Sequence, residues 1–159
     1  MYFKTFLLAF AFVCTHAAGT AKAQKNGSDP QKVLDQYLDV AQALVKSDFR
    51  KSKIQASKLA EILKTTQNQE LQAQGAALLM SNSLEEMRSG FSRLSTTLKT
   101  YFASATGLEE PLYIAHCPMA FNDTGAIWLT DEKRVVNPYF GMEMLHCGKI
   151  IGTIKPEKP

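Results

Sequence analysis

Between residues 30 and 103 the apolar positions return every three or four residues, and after residue 107 they stop doing so. Val33, Leu34, Tyr37, Leu38, Ala41, Leu44 and Val45 make the first stripe, which is the spacing of a helix with one buried face. Asp29-Pro30 supplies a cap and then proline at the first helical position, so the predicted helix runs from Pro30 to Lys46. Ser47-Asp48 interrupts the pattern and caps a second helix, in which Ile54, Leu59, Ile62 and Leu63 carry the stripe. So short a connection folds the second helix back on the first. A polar break at residues 65–68 precedes a shorter helix with Leu71, Ala76, Leu78, Leu79 and Met80; Gly75 in its middle costs about 1 kcal/mol relative to alanine. Ser83 and Glu86 fit a capping box, and Leu84, Met87, Phe91, Leu94, Leu98, Tyr101 and Phe102 then line one face of a fourth helix ending near Gly107. Met80 and Met87, spaced among leucines and aromatics, read as core filler.

Four amphipathic helices with short connections predict a mainly α fold, an up-down four-helix bundle. Beyond Gly107, proline or glycine breaks the chain every several residues. Leu112 to Ala115, Ala126 to Leu129 and Lys149 to Ile154 are predicted as short extended pieces, a small C-terminal β or irregular ribbon packed on the bundle. Trp128, Tyr139 and Phe140 are expected in the seam between the two, Asn137-Pro138 reads as a turn, and the tail from Lys155 to Pro159 is expected to fray.

The first residues change the picture of where this fold operates. A lysine at position 4, an apolar run from Phe6 to Cys14 and the Ala21-Lys22-Ala23 site have the form of a secretory signal peptide. Cleavage after Ala23 is expected, in preference to lipoprotein processing at Cys14, which lacks small residues before it. Removing residues 1–23 from a chain of 159 leaves a single domain of 136, and the formal charge falls from +3 to +1 because Lys4 and Lys22 go with it. So small a charge predicts no nucleic-acid partner, and the basic residues Arg50, Lys51, Lys53 and Lys58 read as a solvated helix face. No apolar run in residues 24–159 is long enough to span a bilayer. The expected location is the periplasm, and the sequence leaves oligomeric state open.

The mature chain keeps two cysteines, two histidines and three of its five remaining methionines in the C-terminal segment 108–154, and the helical part has no cysteine or histidine. They stand in His116-Cys117-Pro118-Met119 and in Met142, Met144, His146 and Cys147. Thiolate and thioether select Cu(I), and imidazole suits copper and zinc. Cys117, Met119, Met144, Cys147, His116, His146 and Met142 are therefore candidate metal ligands, with copper as Cu(I) the leading ion and zinc the runner-up. Each histidine directly precedes a cysteine, unlike the usual ligand spacing of structural zinc sites. If residues 142–147 are extended, alternation sends Met142, Met144 and His146 to one face and Cys147 to the other. The rival is a Cys117–Cys147 disulfide, normal in an oxidising compartment, which would stabilise the fold by about 3 to 4 kcal/mol in the chain-entropy account. No redox C-x-x-C, phosphate loop or nucleophile elbow is present, so no enzyme is expected.

Cys117-Pro118-Met119, Ala126-Ile127-Trp128-Leu129-Thr130 and Asn137-Pro138-Tyr139-Phe140-Gly141 with Met144-Leu145, Cys147 and Gly148 together resemble the DUF3347 domain family. Tyr37-Leu38, Ala43-Leu44-Val45 with Asp48, and Arg88 with Phe91, Leu94 and Ser95 resemble its helical half; Thr130 stands where the pattern more often has serine. That family occurs as exported stand-alone proteins and as C-terminal domains of periplasmic adaptors of copper and silver efflux systems. The resemblance implies heavy-metal handling outside the cytoplasm, by Cu(I) or Ag(I) sequestration or delivery, with a periplasmic adaptor or efflux component as partner. The alternative is a disulfide-closed envelope interaction domain that binds no metal.

Overall fold

A computed structural model describes residues 29–156. The expected signal peptide, the polar residues up to Ser28 and the last three residues of the tail lie outside the described residues. The fold is mainly helical, with a small antiparallel sheet at its C-terminal end: α1 (Pro30–Val45), α2 (Phe49–Lys64), α3 (Gln69–Leu79) and α4 (Leu84–Ala103), then β1 (Leu112–Cys117), β2 (Ala126–Thr130) and β3 (Lys149–Ile154). The sheet order is β2-β1-β3. Among the described residues no helix is long and apolar enough to cross a membrane.

Each helix begins where a polar side chain can occupy an orphan amide. Asp29, Asp48, Asn68 and Ser83 accept from the backbone N–H groups of Gln31, Lys51, Leu71 and Glu86, each cap worth about 1 kcal/mol. The carboxylate of Glu86 turns back as a capping box requires, but it accepts from the backbone of Asn82 (2.7 Å), one residue before the cap. The fourth helix closes at Ala103, a turn earlier than the pattern predicts.

Consecutive helices pack on one another, and α4 also packs on β2. Three stripe positions fail in this packing, Ala76, Ile54 and Met80, and Ala76 is exposed. Ile54 is 51% exposed and Met80 is 75% exposed, so neither belongs to the core. The buried face of α2 is built instead from Ser52, Ala56, Leu59, Ala60 and Leu63, because a helix wedged between α1 and α3 needs small residues on its inner side. Gly75 shows the same closeness: a Cβ there would stand 2.9 Å from Leu63 Cδ1, so its helix-propensity cost is offset by a close α2–α3 approach. Met80 is the C-cap of α3, where the chain has already left the helical stripe. Met87 is fully buried, as expected.

The seam between helices and sheet is aromatic and carries a short polar relay. Tyr37 stacks on Phe91 with ring centroids 4.7 Å apart, and Tyr139 meets Phe91, Trp128 and Phe121 edge-on or tilted. The Tyr37 hydroxyl accepts from Leu129 N–H (3.0 Å) and lies 2.7 Å from Ser95 Oγ, which donates to Phe91 O. One buried hydroxyl thus joins α1, α4 and β2 with its polar capacity satisfied, which keeps it from costing stability. Burial raises the Tyr37 and Tyr139 pKa values far above the ordinary phenol range.

Candidate functional site

Topology brings the two cysteines together. β1 and β3 are antiparallel neighbours with His116 opposite Lys149, so Cys117, the last residue of β1, faces the chain just before β3, where Cys147 lies. Gly148 makes the approach feasible: at φ +131 its added Cβ would sit 2.7 Å from His116 O and 2.9 Å from Trp128 Cη2, a position only glycine fills without strain. The Sγ atoms are 2.8 Å apart, with both thiols free, Cys117 buried and Cys147 half-buried. The hydrogen bond with Cys117, and then burial, push the Cys147 thiol up to about 11.

The segment before Cys147 is not extended. A 3-10 turn occupies Gly141–Met144, so the strand alternation expected for Met142, Met144 and His146 does not apply. The organiser of this loop is Asn137, which is fully buried. Its Oδ1 accepts from Tyr139 N (2.7 Å) and Phe140 N (3.2 Å), its Nδ2 donates to Cys147 O (2.8 Å), and its backbone N–H donates to Leu145 O (2.8 Å). Arg88 holds the same loop to the helices, donating from Nε to Pro138 O (3.0 Å) and from Nη2 to Leu44 O and Ser47 Oγ. Burial lowers the Arg88 pKa, opposed by the charge of Glu143. The Tyr139 hydroxyl donates to Ile127 O, which ties the loop to β2.

After Cys117 the chain makes a short helical turn, Ala120–Asp123, that is left-handed inside: Phe121, Asn122 and Asp123 have φ of 53, 55 and 62. Left-handed backbone costs about 1 to 2 kcal/mol per ordinary residue, less for asparagine and aspartate. Phe121 is the costly member, and its ring is held edge-on against Tyr139 at 5.3 Å. Such strain concentrates at functional sites. The turn forms one wall of a pocket of about 410 Å3, with Met119, Tyr139, Phe140, Met144, Glu85 and Arg88 around the rest.

The predicted donors thus fall into three groups. Cys117 and Cys147 touch each other. Met119 and Met144 line the aromatic pocket, Met119 being 47% exposed. His116, His146 and Met142 join neither: Met142 is 69% exposed, His116 lies against Gly125, and His146 Nδ1 donates to Val135 O at 2.8 Å. Among the described residues no three His, Cys, Asp or Glu side chains gather into a metal-sized group. The sequence reading missed Asn137 as a hub and the left-handed turn, for which Asn122-Asp123 was the available signal.

No curated protein and no solved structure matches the chain. A family model described as "Protein of unknown function (DUF3347)" matches residues 33–109, which covers the helices after the first residues of α1 and ends before either cysteine. The stretch 33–109 of this chain is similar to that family.

Proposed function

We propose that this protein handles Cu(I), or Ag(I) as its chemical mimic, outside the cytoplasm, either sequestering the ion or passing it to a periplasmic adaptor or other efflux component. The observation that carries the reading is the pocket that Met119 and Met144 line together with Phe121, Tyr139 and Phe140. Thioether sulfur is a ligand chosen by Cu(I) over harder ions, and aromatic faces attract a cation brought close to them. The partial exposure of Met119 offers the ion a route in by ligand exchange. The scaffold in this reading is an up-down four-helix bundle, for which the packing of each helix on the next speaks.

The cysteines take a different role in this reading from the one their chemistry first suggests. Two thiolates on one tetrahedral ion, with bonds of about 2.3 Å, stand about 3.8 Å apart. The observed 2.8 Å is shorter than that, and about 0.8 Å beyond a disulfide bond. Cys117 and Cys147 are therefore read as a staple that holds the Met119 and Met144 segments side by side, closing a 30-residue loop. With the cysteines committed to each other, zinc loses the set that made it runner-up. No catalytic step is assigned.

The test follows the methionine methyl groups by NMR while Ag(I) is added to oxidised protein. The εCH3 signals of Met119 and Met144 are expected to shift with one equivalent, and those of the buried Met87 and the exposed Met80 to stay. Met119→Leu with Met144→Leu is expected to weaken binding about a hundredfold. The close cysteine pairing also favours a second reading, the disulfide-closed interaction domain that binds no metal; unmoved methyl signals in a protein without reactive thiols would establish that one instead.

A further inference from the structure

We infer that the groove between α1 and the end of β2 is a docking site for a lysine- or arginine-bearing segment of a partner protein, a role separate from metal handling. The groove encloses about 290 Å3. Leu38, Ala41 and Val45 of α1, with Val136, give it a half-buried apolar lining, and Asp39, Asp131 and Glu132 stand around it against a single cation, Arg134. The local balance is negative on a chain whose formal charge is +3.

Those three carboxylates are exposed, and none is within ion-pair distance of a cation among the described residues. Among the described residues the one ion pair is Lys64 with Glu61, on another part of the surface. Lysine and arginine fit such a place in both halves of the side chain, the aliphatic stem lying on apolar surface and the charged head reaching the rim. A bare metal ion would gain nothing from the apolar lining, and a volume of this size admits a few side chains rather than a folded domain. The site is also preformed. Glu132 N–H donates to Thr130 Oγ1 at 3.2 Å, which fixes the turn bearing both rim acids, and the opposite wall is the regular helix α1. A preformed groove spares the partner part of the ordering cost of association.

Trp128, the sole tryptophan, is buried next to this groove, so occupancy is read by calorimetry rather than by its emission. The full chain would be titrated with a ten-residue peptide alternating leucine and lysine, and with its counterpart alternating leucine and glutamate. The lysine peptide is expected to bind saturably and to weaken in high salt, with the glutamate peptide at least about tenfold weaker. Asp131→Asn with Glu132→Gln is expected to weaken the lysine peptide about tenfold, and Asp39→Asn, on the facing wall, to act in the same direction. Equal binding of both peptides, or unchanged binding by these variants, would overturn the proposal. A concentration-dependent dimer in sedimentation that the double variant abolishes would overturn it too, since the occupant would then be a second copy of this chain.

Discussion

The helical half and the C-terminal segment are stabilised by different means. From Pro30 to Ala103 each element packs mainly on its neighbour in the chain, and the buried positions are mostly apolar and repeat with the helix. From Leu112 to Ile154 three short paired strands are joined by a loop held by a few polar anchors that reach across the sequence: Asn137 to Cys147, Arg88 to Pro138, and Tyr139 to Ile127. A periodic apolar face tolerates the loss of any one contact better than a hub tolerates the loss of its centre. The hub, in exchange, can hold backbone in shapes that no periodic element offers, including the left-handed turn beside the pocket.

The largest expected effect comes from breaking what both regions share. Phe91 is fully buried, stacks on Tyr37 and touches Tyr139. Phe91→Ala should cost about 4 kcal/mol, and urea denaturation followed at Trp128 and by far-UV CD should show both halves losing stability together. Asn137→Ala separates them. It strands the amides of Tyr139 and Phe140 in the interior, at about 3 kcal/mol, and hydrogen exchange should rise across residues 137–148 while α1 to α4 keep their protection. Equal loss of protection in the helices would show that the loop is no separate unit.

The smallest effect concerns the thiols of the reduced protein. Folding raises the Cys147 pKa from 9.0 to about 11, so the fold favours the neutral thiol. The stabilisation this gives is complete below pH 9 and fades as pH rises through 11. With reductant present, wild type should lose stability relative to Cys147→Ser between pH 9 and 11. Oxidised protein, with no thiol to titrate, should show no such difference from its own value at pH 8.

The sequence was most readable where one residue acts on its immediate neighbours. Asp29, Asp48 and Ser83 cap helices at the positions their types suggest, because a cap needs only amides two or three residues ahead. The three extended pieces were also recognisable, short and bounded by breakers. Ile54 and Met80 were misplaced because their exposure depends on which neighbouring helix comes closest, something a stripe in one helix does not encode. At the candidate site the residue types pointed to soft-metal chemistry and to the cysteine pairing. Their division into a thiol pair and a thioether pocket was hidden, because it follows from a 3-10 turn fixed by bonds that Asn137 makes eight to ten residues along the chain.

That asparagine also bears on how fast the cysteines can find each other. It grips the carbonyl of Cys147 itself, while Cys117 is fixed in the sheet by its pairing with Ala126. Neither thiol depends on a covalent bond to stay beside the other. A reduced molecule therefore keeps its partner at a very high effective concentration, and reoxidation is an encounter already made. Closure within one chain should outrun the crosslinking of two chains, and repeated cycles of reduction and oxidation should leave the protein monomeric with respect to its cysteines.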